Sequence, residues 1–176
     1  MSRIKPNESG GGANTNKNGL YFEQMTSLNT ALTKAGYYIM DNEIYTEPLT
    51  QPIGMSVPQK NLYTKFLIPN GIDYKNYNSK EWHPDEAFIN YQDRTVYIIE
   101  KKFQNCPGSV DEKLPNCHFK KMEYEKLFSP LNYKVEFIYI FSDWFLKDVY
   151  RDTLQYIKYV GCHYFYNYLP LEFIGL

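Results

Sequence analysis

Residues 84–102 read PDEAFINYQDRTVYIIEKK, and this stretch decides the fold. Glu86–Tyr91 and Thr95–Lys102 are two runs of β-branched and aromatic residues on either side of Gln92-Asp93, the pattern of a β-hairpin. A two-residue turn would close Tyr91 onto Arg94. A four-residue loop closed by Asn90 and Thr95 gives the same register, and in both Asp85 falls opposite Glu100. Directly opposed residues have Cβ atoms about 4.5–5.5 Å apart. Side chains alternate along a strand, so Lys102 shares the face of Glu100 while Lys101 points the other way. The hairpin therefore predicts two carboxylates and one ammonium on a single face.

Working outward, Asn18 is a helix N-cap, Tyr21, Met25, Leu28, Leu32 and Ala35 recur at helical spacing, and Gly36 is a stop signal. Tyr37–Tyr45 and Asn61–Ile68 read as strands, and 69–83 as a loop. Downstream, Ser109 opens a second helix with the acidic turn Val110-Asp111-Glu112, and Pro115 confines its regular part to Asn116–Phe128. Val135–Phe141 suits a buried strand. Lys147–Val160 has helical spacing ended by Gly161, and His163–Leu169 reads as a last strand. This alternation of strands and helices implies an α/β domain with a mixed β-sheet flanked by helices. Residues 1–18, with three consecutive glycines and almost no apolar side chain, read as a flexible arm ahead of a single domain over 19–176.

The composition fits one ordinary domain: 176 residues, 43% hydrophobic, with 18 Tyr and 11 Phe. A net charge of −1 does not advertise a nucleic-acid binder. The positive charge is instead bunched at Lys101, Lys102, Lys113, Lys120, Lys121 and Lys126, enough for a local basic groove. Three cysteines, no secretory signal and no long apolar run read as a reduced, soluble, cytoplasmic protein without a membrane segment. Cys117-His118 and Cys162-His163 lack the spacing of a zinc site, and free thiols are expected.

Two adjacent carboxylates repel, and a divalent cation resolves the repulsion. Mg²⁺ sits on one or two carboxylates and keeps waters and substrate phosphate oxygens as its other ligands. A neighbouring lysine then stabilises negative charge in the transition state and lowers the pKa of the attacking water. Asp85 and Glu100 are the expected metal ligands and Lys102 the expected catalytic cation. The bland alternative is an exposed hairpin end with a cross-strand salt bridge.

Pro84-Asp85, an apolar strand, and Glu100-Lys101-Lys102 resemble the signature of the PD-(D/E)XK nuclease superfamily. Gln104 extends the match to Glu-x-Lys-x-Gln. Gly108–Lys113 resembles the loop and helix start that follow the motif in restriction-endonuclease-like members. The resemblance covers roughly residues 18–141, where the αβββαβ order agrees with a restriction-endonuclease-like core. It implies a Mg²⁺-dependent endonuclease hydrolysing double-stranded DNA to leave 5′-phosphates, of the type II restriction kind, acting as a homodimer. Repair nickases, junction resolvases and phage nucleases are the alternatives within the superfamily, and a DNA-binding module that has lost catalysis is the alternative outside enzymology.

Glu23 matches the acidic residue that many members carry on the first helix, although an acid in a first helical turn is also favoured by the helix dipole. Gln104 is expected to bond a water or the scissile phosphate. Lys113, Lys120 and Lys121 are expected to meet DNA phosphates, or else to form an ordinary solvated helix face. Trp82 and Trp144 read as packing residues.

Overall fold

The computed structural model describes residues 11–48, 50–105 and 110–176. A seven-stranded sheet runs in chain order: β1 (Tyr38–Met40), β2 (Glu43–Tyr45), β3 (Gly54–Pro58), β4 (Glu86–Asn90), β5 (Thr95–Lys102), β6 (Lys134–Phe141) and β7 (His163–Tyr166). The first five strands are antiparallel neighbours, whereas β5–β6 and β6–β7 are parallel. Each parallel step needs a crossover, supplied by α3 (Cys117–Phe128) and α4 (Arg151–Tyr159).

Both faces of the sheet are covered. Val96 and Ile98 of β5, with Phe137, Tyr139 and Phe141 of β6, pack beneath α3 and α4 through Tyr124, Leu127, Phe128 and Ile157. On the other face Tyr97, Ile99, Ile138 and Ile140 pack against Phe22, Leu28 and Leu32, which come from α1 (Gly11–Met25) and α2 (Leu28–Lys34). Double-sided burial is why β5 reads as a near-continuous apolar run.

The hairpin register is the one expected. Asn90 pairs with Thr95 and Glu86 with Ile99, and a four-residue loop closes the strands. Asn90 Oδ1 shapes that loop by accepting from the backbone N–H groups of Gln92 and Asp93.

Several local expectations are overturned. Asn61–Ile68 is no strand: Leu62–Leu67 forms a π-helix, burying Leu62, Tyr63, Phe66 and Leu67 while Thr64 and Lys65 face water. Tyr37–Tyr45 is a hairpin of β1 and β2, turned at Asp41 and Asn42, both at positive φ. Strand β3 was not anticipated. The first helix breaks at Thr26 and Ser27, where the Ser27 hydroxyl accepts from Thr30 N–H. The break shifts the buried stripe to Phe22, Leu28 and Leu32 and leaves Tyr21 and Met25 exposed. Helix α1 also begins at Gly11, inside the segment assigned to a flexible arm; residues 1–10 lie outside the described residues. Among the described residues no helix is long and apolar enough to cross a membrane.

Candidate active site

Asp85 stands one residue before β4. Pro84 has no N–H to continue the ladder, and its carbonyl accepts from Gln59 N–H at 3.1 Å. The Asp85 carboxylate instead caps the opposite strand: its Oδ2 accepts from Lys101 N–H at 2.6 Å. Continuing the register one step beyond Glu86 and Ile99 puts Asp85 at the level of Glu100, as the sequence predicts.

Glu100 and Lys102 do share a face, on the side of α3. Lys102 Nζ donates to Glu100 Oε2 at 2.7 Å and to its neighbour's carbonyl, Lys101 O, at 3.1 Å, and lies 3.7 Å from Asp85 Oδ2. The expected carboxylate repulsion is thus already answered within the chain: an ammonium stands between the two acids. A second cation, Lys120 of α3, donates to Glu100 Oε1 at 2.8 Å. Burial alone would raise the pKa of Glu100, which is 4% exposed, but Lys102 and Lys120 outweigh it and hold the group below its ordinary value. Burial likewise works against the Lys102 ammonium, and Glu100, Asp85 and Glu23 outweigh it and raise its pKa.

The loop that delivers Asp85 is anchored to α3 and the π-helix. The Trp82 carbonyl accepts from the hydroxyls of Tyr63 at 2.7 Å and Tyr124 at 3.0 Å, and the indole N–H donates to Glu123 at 3.3 Å. Asn78 donates to the Glu123 carbonyl at 2.9 Å. Trp82 is partly buried, as expected of a packing residue, yet Lys80 and Lys120 stand over its ring with Nζ 4.3 and 5.8 Å from the centroid.

Glu23 sits on the last turn of α1 with an exposed side chain whose charge acts on Lys102. It lines a cleft of about 400 Å³ with Leu20, Phe22, Lys101, Lys102 and Phe103. A cavity of about 480 Å³ elsewhere, bounded by Tyr63, Ile72 and Tyr74, contains none of these acids and does not bear on the site.

The structure does not bring the other expected residues to the cluster in the same way. Strand β5 ends at Lys102, so Gln104 does not extend its face. The Gln104 backbone N–H reaches Ser142 Oγ at 3.4 Å, and its buried side-chain amide has no hydrogen-bond partner among the described residues. Lys113 is exposed. Lys121 is held by Glu136 at 3.3 Å and the Gly161 carbonyl at 2.8 Å, tying α3 to β6 and the turn after α4. Lys120, expected to face phosphate, points inward to Glu100. Its role was not readable from spacing, because the approach of α3 to β5 is set by the crossover. Cys117 and Cys162 are buried free thiols, and Cys106 lies outside the described residues.

The donor set fits a hard divalent ion with one condition. Asp85 and Glu100 supply carboxylate oxygens, which is the usual protein share for Mg²⁺. Among the described residues no group of three or more His, Cys, Asp or Glu could hold a metal. Glu100 Oε2 accepts from Lys102 and Oε1 from Lys120, so a cation bound at Glu100 would share an oxygen with a lysine or displace it. Comparison of the chain with family models, with characterised proteins and with solved structures gives no match.

Proposed function

We propose that this protein is a Mg²⁺-dependent endonuclease of double-stranded DNA with a restriction-endonuclease-like core. The observation that carries this reading is the Lys102 ammonium lying between Asp85 and Glu100 at the open end of the β4–β5 hairpin. From β3 onward the elements β3, β4, β5, α3 and β6 follow the βββαβ part of that order, with the β1–β2 hairpin standing between them and α2, and this supports the same reading.

Asp85 and Glu100 would hold Mg²⁺. When bound, the ion supplies Lewis acidity at a phosphate oxygen and a water of lowered pKa. The chain's own groups do the rest. The Asp85 carboxylate is pre-oriented by Lys101 N–H, which limits the reorganisation needed to bind. Lys102 offers a fixed positive charge to the developing phosphorane and to the attacking water. Glu23 faces the same cleft from α1 and can orient a water there. Lys113 remains exposed for backbone phosphate, and Lys80 beside Trp82 adds a second cationic edge. One such site cuts one strand, so double-strand cleavage calls for a homodimer.

The test is digestion of supercoiled plasmid in Mg²⁺ by the wild type and by Asp85→Asn and Lys102→Met. Discrete linear fragments are expected from the wild type, with at least about a hundredfold loss in each variant. Undiminished cutting by either variant, or in excess chelator, overturns the reading. Nicked circles alone would redirect it to a nickase, and cleavage confined to branched DNA to a resolvase.

A further inference from the structure

Glu100 receives two ammonium groups that differ in how firmly they are held. Lys102 comes from the same strand and has three acceptors: Glu100, the Lys101 carbonyl and, at longer range, Asp85. Lys120 comes from α3 and, among the described residues, has one, Glu100 Oε1 at 2.8 Å. The Trp82 ring lies 5.8 Å from Nζ. Asp85 and Glu100 carry two negative charges and Lys102 and Lys120 two positive, so the four side chains balance without a metal.

We propose that Lys120 is the resident counter-ion of the carboxylate pair: it occupies the Glu100 oxygen that a divalent cation needs and, on being displaced, turns its ammonium toward the substrate phosphate. This role rests on the nuclease reading of the same site. Lys120 is the lysine that yields because it gives up one charge-assisted hydrogen bond, whereas Lys102 would give up two and a longer-range ion pair. The Trp82 ring, fixed by the hydrogen bonds of its carbonyl and indole N–H, already lies within cation–π reach of Lys120 and carries Lys80 at 4.3 Å, so an ammonium that leaves Glu100 keeps a favourable neighbour on its way to the substrate. The displacement keeps a buried carboxylate charged and paired before the metal arrives. It also makes phosphate-facing positive charge appear only in the loaded site.

The experiment is calorimetric titration of Ca²⁺ into the full-length wild type, Lys120→Met and Lys120→Arg without DNA, with melting temperatures recorded for each. Lys120→Met is expected to bind Ca²⁺ about tenfold more tightly than the wild type, the equivalent of one charge-assisted hydrogen bond no longer broken. Lys120→Arg keeps the cation and should stay near the wild type. In Ca²⁺, the salt slope of DNA binding by Lys120→Met should fall by about one. Should Lys120→Met melt below the assay temperature, Lys120→Gln gives the same readout with a polar contact retained. A lysine that only ties α3 to β5 would lower the melting temperature and leave metal affinity unchanged; that result, or weaker binding by the neutral variants, overturns the counter-ion role alone. No Ca²⁺ uptake by any of the proteins, the wild type included, removes the nuclease reading and this role together.

Discussion

Lys101 Nζ lies 3.0 Å from a Glu86 carboxylate oxygen on the face of the sheet opposite Lys102, with Lys101 buried and Glu86 partly so. The same ammonium donates to the Glu23 carbonyl at 3.1 Å, and Glu86 accepts from Leu28 N–H at 3.1 Å. Alternation along β5 thus serves two purposes. Glu100 and Lys102 form the site on one side, while Lys101 on the other grips the end of α1 and the start of α2. The residue between the two motif positions positions the helix that carries Glu23.

Lys101→Met should therefore be costly. Removing one partner of a buried pair leaves an uncompensated charge, which costs about 3 kcal/mol or more. Urea unfolding should report that loss, and adding Glu86→Leu should recover most of it. A single variant as stable as the wild type would show that the pair is not part of what holds α1 and α2.

The pH dependence of stability separates Glu100 from Glu86. The Glu100 pKa is below its ordinary 4.5, so its contribution is present above pH 4.5 and is lost as pH falls through the folded value. Burial raises the pKa of Glu86 against the pull of Lys101, so Glu86 acts in the opposite sense: its contribution is present below 4.5 and is lost as pH rises through its folded value. Glu100→Gln, which strands two lysines, should be less stable than the wild type at pH 7, and the gap should close on acidification below 4.5. If Asp85 and Glu100 repelled each other uncompensated, the order of the two proteins at neutral pH would be reversed. Thermal melts of both proteins from pH 3 to 7 decide between them.

Gly54 faces a different constraint. Its backbone pairs with Ile44 on one side and Asn90 on the other, and an added Cβ would lie 2.5 Å from the Ile89 carbonyl oxygen and 2.6 Å from the Phe88 ring. Backbone on one side and a fully buried ring on the other leave little room to relax. Gly54→Ala should cost about 2 kcal/mol, visible as a lowered melting temperature, by pushing β3 off β4.

What could be read from the sequence follows the range of the interactions. The β4–β5 hairpin is local, its loop residues are explicit, and one register satisfies every apolar position; Asp85, Glu100 and Lys102 came with it. Strand β3 is hidden because Pro52, Gly54 and Pro58 suppress the strand signal in a segment whose longer ladder, with β4, is remote in sequence. The π-helix was misread because Tyr63, Thr64 and Phe66 favour strands, although adjacent buried pairs at 62–63 and 66–67 do not alternate. Lys120 and the Lys101–Glu86 pair were illegible for one reason: each depends on where a helix lands after a crossover or a break.

Glu23 offers the closing test, because its two contributions come from different atoms. Its carbonyl, held by Lys101, survives any side-chain substitution, while its exposed carboxylate acts on Lys102 through the cleft. Glu23→Gln should then leave the melting temperature unchanged. If the carboxylate orients water or supports Lys102, cleavage should fall by about fivefold, the rate equivalent of one exposed charge interaction. Lys101→Met should do the converse, losing stability first and activity in step with it as α1 loosens. Measuring kcat and melting temperature on both variants separates them. Full activity in Glu23→Gln would reduce Glu23 to a backbone anchor and leave Asp85, Glu100 and Lys102 as the whole of the proposed catalytic set.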